Sequence, residues 1–413
     1  MSTAPTTEAR VATPGVSPAG TIVVAVHGRA GPAVGAAREV EDLLRSRFGA
    51  CAPVVLVTTF GGGAVTLRAP GEEGSAPGRG DDPLARSASQ GAVPAHASAL
   101  GPLLRAAAEH DALAVAVVAA EPHDREVDWV GRLLAPVVEG GHDFVCPAYV
   151  RHRTEGAINT GIVSPLFRTL YGVALRQPLG AEAALSGALA RRLLDDADWS
   201  RRPAQAGSDA WLIAKVLEGG ARVAQSWLGT WPRPQGEPEE PSETLVRALG
   251  LVFGEMERTA GRWQRTGRAV AAPTFGEGGF VAPGGARPDP ARLFEAFALG
   301  LRDLQPVLGL VLPPATILEL QQAARSARPI PDALWARVIF DFAVAHLVRA
   351  VERRQLLRSL TPLYLGWLAG LVRDAGELDD AAFEARAEAV GAAFEREKPY
   401  LVARWRWPDE FNP

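Results

Sequence analysis

Residues 21–58 read TIVVAVHGRAGPAVGAAREVEDLLRSRFGACAPVVLVT, and this stretch decides the fold class. The run TIVVAV at 21–26 is short, β-rich and apolar on successive residues, the pattern of a strand buried on both faces. It ends in a turn carrying Gly28, Gly31 and Pro32. Residues 36–48 then space apolar side chains helically with charges between them, as an amphipathic helix does. A second buried strand at 54–58 runs into Gly61-Gly62-Gly63. Strand, helix and strand within roughly 40 residues form a βαβ unit, whose crossover is right-handed and whose strands are parallel.

The alternation continues outward. A helix is expected at 98–109, a third buried strand at 113–119, a helix at 129–138 and a strand at 143–147. An α/β domain with a mostly parallel sheet flanked by helices follows from that order. Residues 69–95, dense in Gly, Pro, Ser and Asp, read as a mobile loop. Residues 184–194 and 209–218 read as helices, and 237–290 show no clear order. From 290 onward the pattern is nearly all helical, at 291–301, 316–326, 333–355 and 379–398. The expected organisation is a disordered tail at 1–19, an α/β domain at 20–235 and a mainly helical region at 236–413.

Composition narrows the partners. The chain is 47% hydrophobic and 22% charged, with a formal net charge of -4, so it lacks the basic surface of a general nucleic-acid binder. A local basic pocket for a phosphate or carboxylate remains compatible with that charge. Of 43 basic residues only Lys215 and Lys398 are lysine, which reads as a coding bias toward arginine. The most apolar stretches, 113–120 and 363–372, fall short of the roughly 20 residues a membrane helix needs. Residues 1–19 have no apolar signal-peptide core, so a cytoplasmic protein is expected. The run at 363–372 suits either a homodimer interface or the chain's own core. Cys51 and Cys146 flank apolar runs and form no CxxC pair, so both read as buried thiols in a reducing compartment.

Several polar clusters fall where ligands bind in doubly wound sheets, beyond the carboxyl ends of strands. His27, Gly28 and Arg29 follow the first strand, as a phosphate-approaching turn or a plain βα turn. Gly61 and its neighbours hold the same place after the second strand. Glu121, His123 and Asp124 follow the third, as cation ligands or a solvated turn. Arg151-His152-Arg153 precedes Glu155-Gly156, as an anion site or a charged loop. Glu182 and Asp209 each stand at the start of a helical pattern, where a carboxylate suits the helix terminus without any chemistry.

Residues 143–189, DFVCPAYVRHRTEGAINTGIVSPLFRTLYGVALRQPLGAEAALSGAL, tie these clusters together. They resemble the central region of the glucosylglycerate, mannosylglycerate and glucosyl-3-phosphoglycerate synthases, which are retaining glycosyltransferases of GT-A fold. The P-x-Y-x-R element is matched by Pro147, Tyr149 and Arg151, and the acceptor-loop glycine by Gly156. Q-P-[IL]-G-G-[DE] is matched by Gln177, Pro178, Leu179, Gly180 and Glu182, and L-S-G by Leu185, Ser186 and Gly187. Gly207, Asp209, Trp211 and Leu212 match a later G-x-D-x-W-L, and the C-terminal helices match at 362–366 and 394–405.

The resemblance implies hexose transfer from a nucleotide sugar, UDP-glucose or GDP-mannose, to glycerate, phosphoglycerate or a similar small anion. Arg151, Gly156 and Thr160 would hold the acceptor. Glu182 and Asp209 would serve catalysis by positioning hydroxyls. His27, Arg29, Gly61, Glu121 and Arg233 would serve the donor. The family's divalent cation, Mg2+ or Mn2+, bridges the donor diphosphate. Here Ala119 stands for the first Asp of the family's DxD and Glu121 for the last, and Arg233 replaces a metal-binding His, so no metal site is assigned and Glu121 is only a candidate ligand. Two readings stay open: a transferase in which Arg29, Arg151 or Arg233 neutralises the diphosphate, and a catalytically inactive relative acting as a binding or interaction protein.

Overall fold

The computed structural model describes residues 20–28, 30–59, 66–68, 95–120, 128–180, 182–198, 209–230, 240–281 and 288–408. The tail at 1–19 and all but the last residue of the loop at 69–95 lie outside them. The chain divides into two compact units that interleave along the sequence. One comprises residues up to Tyr149, Leu179–Arg233 and Ala272–Gly278, and the other Val150–Pro178, Pro234–Ala271 and Gly279–Pro413.

The first unit is built on a sheet. Its strands are β1 (Gly20–Gly28), β2 (Cys51–Thr59), β3 (Thr66–Arg68), β4 (Ala114–Ala119), β5 (Phe144–His152), β7 (Ala183–Ser186), β8 (Val223–Thr230) and β10 (Thr274–Phe275), in the order β10-β8-β5-β7-β4-β1-β2-β3. The expected βαβ unit is present. β1 pairs in parallel with β2 from Gly20↔Cys51 to Gly28↔Thr59, and with β4 from Ile22↔Ala114 to His27↔Ala119. Both faces are covered. Ile22, Val24 and Val26 join one core with Ala33, Ala37, Val40 and Leu44 of helix Ala30–Arg47 and with Leu133 and Leu134 of helix Trp129–Val138. Helix Ala95–Glu109 packs on β1 and β4 with Leu100, Leu103 and Leu104 buried. Burial on both faces is why β1 and β4 read as unbroken apolar runs. Cys51 and Cys146 are free, buried thiols, as expected.

Residues 184–194 do not form one helix. Ala183–Ser186 is a strand, β7, antiparallel to both β4 and β5, and the helix is Gly187–Leu194. Ser186 is the boundary, because its extended backbone and its hydroxyl, which accepts from the Leu189 N–H at 3.1 Å, cap the helix there. The sheet is therefore mixed, mostly parallel with β3 and β7 reversed.

The second unit is mainly helical: Ser164–Tyr171, Pro241–Trp263, Pro290–Asp303, Pro314–Arg325, Asp332–Val348, Arg353–Ser359, Thr361–Glu377 and Asp380–Arg406, with short pieces between that include the parallel pair β6 (Val173–Ala174) and β9 (Val270–Ala271). Pro241–Trp263 falls where the sequence showed no clear order, yet Leu245, Leu249, Val252, Phe253 and Met256 line its buried face. The helix expected at 333–355 is two. Arg349 takes a left-handed conformation (φ 56°), and the Glu352 carboxylate caps the next helix by accepting from the N–H groups of Arg354 and Gln355 at 2.9 and 2.8 Å. Aromatic rings tie the core, with Trp335 stacked on Trp367 at 5.6 Å and Trp263 edge-on to Trp405 at 5.1 Å. Leu363, Tyr364, Trp367, Leu371 and Val372 are buried in this core, so the apolar run at 363–372 is interior to the unit. Among the described residues no helix is long and apolar enough to cross a membrane.

Candidate functional site

In the sheet unit the polar residues gather at the carboxyl ends of the parallel strands. His27 is the penultimate residue of β1, is buried, and lies opposite Ala119 of β4. Its carbonyl accepts from the Ala120 N–H at 2.8 Å, which holds the ends of the two strands level. The antiparallel register Ala183↔Val117 brings Glu182, one residue earlier, to the same end of β4. Glu182 is only 1% exposed, and the Tyr149 hydroxyl from β5 donates to its Oε2. A carboxylate withdrawn this far from water stays fixed through such donors. Asp209 opens helix Asp209–Glu218, where the helix terminus favours its charge. That helix is anchored by Lys215, whose ammonium donates to Asp196 at 2.8 Å and pairs with Asp198 at 2.7 Å.

The structure thus brings His27 and Glu182 to one end of the sheet, the end at which ligands bind in folds of this class. It also places Ala119 there as the last residue of β4, so that strand ends in a methyl group and no carboxylate. Arg29, Gly61, Glu121 and Arg233 lie outside the described residues.

The helical unit holds the acceptor-loop residues. Arg151 lies at the end of β5, where it pairs with β11 (Phe280–Val281), and is 6% exposed. Its Nη2 donates to the Gln177 Oε1. Burial, and next the neighbouring Arg176 guanidinium, pull the Arg151 guanidinium down to about 9, with Glu155 opposing them. Gly156 closes the turn at φ 66°, and a Cβ there would overlap Arg151 Nη1, so both backbone and space call for glycine. The Thr160 N–H donates to the Gly156 carbonyl at 3.0 Å. The turn is further fixed by His152 and Glu155, whose N–H groups bond each other's Oε2 and backbone carbonyl.

The three cations expected to act together have separate fates. Arg153 is a structural clamp, donating to Asp380 and to the carbonyls of Ala375 and Leu378. His152 sits in the turn just described. Arg151 donates to the Gln177 side-chain amide, Glu155 acts favourably on its charge, and Arg176 adds a second guanidinium nearby. Arg176 was not singled out from sequence. It is matched bidentately by Glu384 at 2.9 and 2.6 Å, and its guanidinium lies 5.3 Å from the Phe280 ring. No local signal joins Arg176 to Glu384, because 208 residues separate them.

No family model matches the chain, and no curated protein matches it. Among solved structures it is similar to glucosyl-3-phosphoglycerate synthase from Mycobacterium tuberculosis in complex with Mn2+, UDP and glucosyl-3-phosphoglycerate, at 18% identity over 58% of this chain and 80% of that one, TM-score 0.36. The same enzyme with Mn2+, UDP-glucose and phosphoglyceric acid is similar at 17% identity over 58% and 80%, TM-score 0.36. Mannosyl-3-phosphoglycerate synthase from Rubrobacter xylanophilus is similar at 20% identity over 60% and 77%, TM-score 0.37. These are enzymes of the group that the sequence motifs resemble. A likeness of this size transfers no activity to the chain.

Proposed function

We propose that the chain transfers a hexose from a nucleoside-diphosphate sugar, UDP-glucose or GDP-mannose, to a small anionic acceptor such as glycerate or phosphoglycerate. The observation that carries this reading is the buried Arg151. A desolvated guanidinium beside a second one is stabilised by an arriving carboxylate or phosphate, whose planar or tetrahedral oxygens fit its fork. Arg151, Gly156 and Thr160 are the acceptor's binders in this reading. Glu182, oriented by Tyr149, and Asp209 position sugar and acceptor hydroxyls. His27 serves the donor side, with Arg29, Gly61, Glu121 and Arg233 assigned there by motif position. Ala119 offers no ligand, so the residues described at this strand end do not fit a paired-carboxylate metal site. Guanidinium groups supply the charge that stabilises the departing diphosphate.

Calorimetric titration of UDP-glucose and GDP-mannose, with and without magnesium, tests this. Binding in the absence of metal, followed by hexose transfer to glycerate or phosphoglycerate, is the expected result. Failure of both nucleotide sugars to bind under either condition would sink the reading. A second reading, an inactive relative that binds ligand without turnover, is favoured by Ala119 specifically. Donor binding with no labelled product from any small hydroxy acid is its signature.

A further inference from the structure

The helical unit contains a cavity of about 940 Å³ that shares no residue with the Arg151 turn. It lies between the turn after helix Pro241–Trp263 and the last turns of helix Asp380–Arg406, with the end of helix Ser164–Tyr171 also lining it. Ala392, Val402 and Ala403 contribute apolar wall, and the Trp407 ring, 60% exposed, lines it as well.

Cations outnumber carboxylates on this wall. Glu388 and Glu395 are both engaged by Arg168, at 2.5 and 2.7 Å, and Glu395 also accepts from the Ala269 N–H at 2.7 Å. Arg268 and Arg396 are exposed and form no ion pair among the described residues. Lys398 donates to the carbonyls of Thr169 and Thr266 at 2.8 and 2.7 Å. An ammonium has three donors, so one remains for a ligand. Thr169 adds an independent sign. It is 1% exposed and lines the cavity, yet its hydroxyl has no hydrogen-bond partner among the described residues. A buried hydroxyl without a partner is costly and marks a place where another polar group belongs.

We propose that this cavity binds an organic anion, a carboxylate or a phosphate or sulfate ester, carrying a planar apolar body. The anionic group meets Arg268, Arg396, Lys398 and the Thr169 hydroxyl, and the body lies against Ala392, Val402, Ala403 and Trp407. A bare inorganic anion would leave the apolar wall wet and most of the space unfilled, because the volume is that of a whole-molecule ligand pocket. Burial also draws the Lys398 ammonium down to about 8, which an anion would reverse.

The test uses the full chain and anilinonaphthalene sulfonate, an aromatic anion whose emission rises in apolar surroundings. Wild type is expected to bind one equivalent. The double variant Arg268→Ala/Arg396→Ala should bind about tenfold more weakly, as loss of two charge-assisted contacts predicts. Thr169→Val, which keeps the volume and removes the hydroxyl, should weaken binding severalfold with no loss of thermal stability. Absence of binding to wild type, or equal affinity in the double variant, would overturn the proposal. So would equally tight binding of uncharged naphthalene methanol. Wild-type self-association abolished by Trp407→Ala would make the cavity a face between copies and overturn it too.

Discussion

Burial governs the two cations that matter most in the helical unit, Arg151 and Lys398. Arg151 is desolvated beside Arg176. Arg151→Met is expected to raise the KM for the anionic acceptor about tenfold or more, since a charge-assisted pair is lost. Steady-state kinetics with phosphoglycerate check this, and an unchanged KM would remove Arg151 from the acceptor site. For Lys398 the folded amine titrates at about 8, below its ordinary value of 10.5. The fold therefore disfavours the protonated form, and this group's contribution to stability rises as pH climbs from about 8 toward 10.5. Its acylation should accelerate through that lower value. Acetylation near neutral pH followed by peptide mass mapping should find Lys398 modified ahead of Lys215, whose ammonium is held by Asp196 and Asp198. Equal modification of both would contradict the assignment. The sequence marks the two lysines as rare but gives no sign of this difference, since burial depends on distant packing. Arg151 and Glu182 were visible through motif spacing, whereas the Arg176–Glu384 pair was not.

Elements here are bounded by single residues. Ser186 ends β7 and begins the helix Gly187–Leu194. Ser186→Ala should cost about 1 kcal/mol in urea unfolding, the usual value of a lost cap. Gly161 marks a close approach: a Cβ there would enter the Trp367 indole, and the Trp335 Nε1–H donates to the Gly161 carbonyl at 2.9 Å. Gly161→Ala should therefore destabilise by about 1–3 kcal/mol, the scale of core overpacking. A loss below about half a kcal/mol in urea unfolding would mean that the stacked tryptophans yield freely. Helical periodicity at 36–48 and 129–138 predicted helices there, because it reports on nearest neighbours along the chain. It failed at 184–186, where the residues Ala184, Leu185 and Ser186 suit either state and the ladders with β4 and β5 decided.

At the scale of the whole molecule, the helical unit keeps an ionic network in its interior. Asp341 is fully buried, accepts from Arg404 at 2.8 Å and receives the Tyr400 hydroxyl at 2.8 and 2.9 Å. Arg404→Met, which leaves the buried carboxylate short of its cation, should cost about 3–5 kcal/mol, and Asp341→Leu added to it should restore much of that. Chemical denaturation of the four members of the cycle measures the coupling, and additivity of the two changes would refute it. By itself the sequence determined the βαβ start, the mostly parallel sheet and the helical C-terminal half. Each is written in a local period, and local periods reflect which side of an element must leave water. Only the tertiary structure decided that β7 runs antiparallel inside the sheet, and that 150–178 belongs with the C-terminal helices. It alone showed that Arg153 is taken up by Asp380, a partner 227 residues away, while Arg151 turns to Gln177. The physical reason is the same in each case: a partner's identity depends on which distant segments fold together, and neither spacing nor composition carries that information.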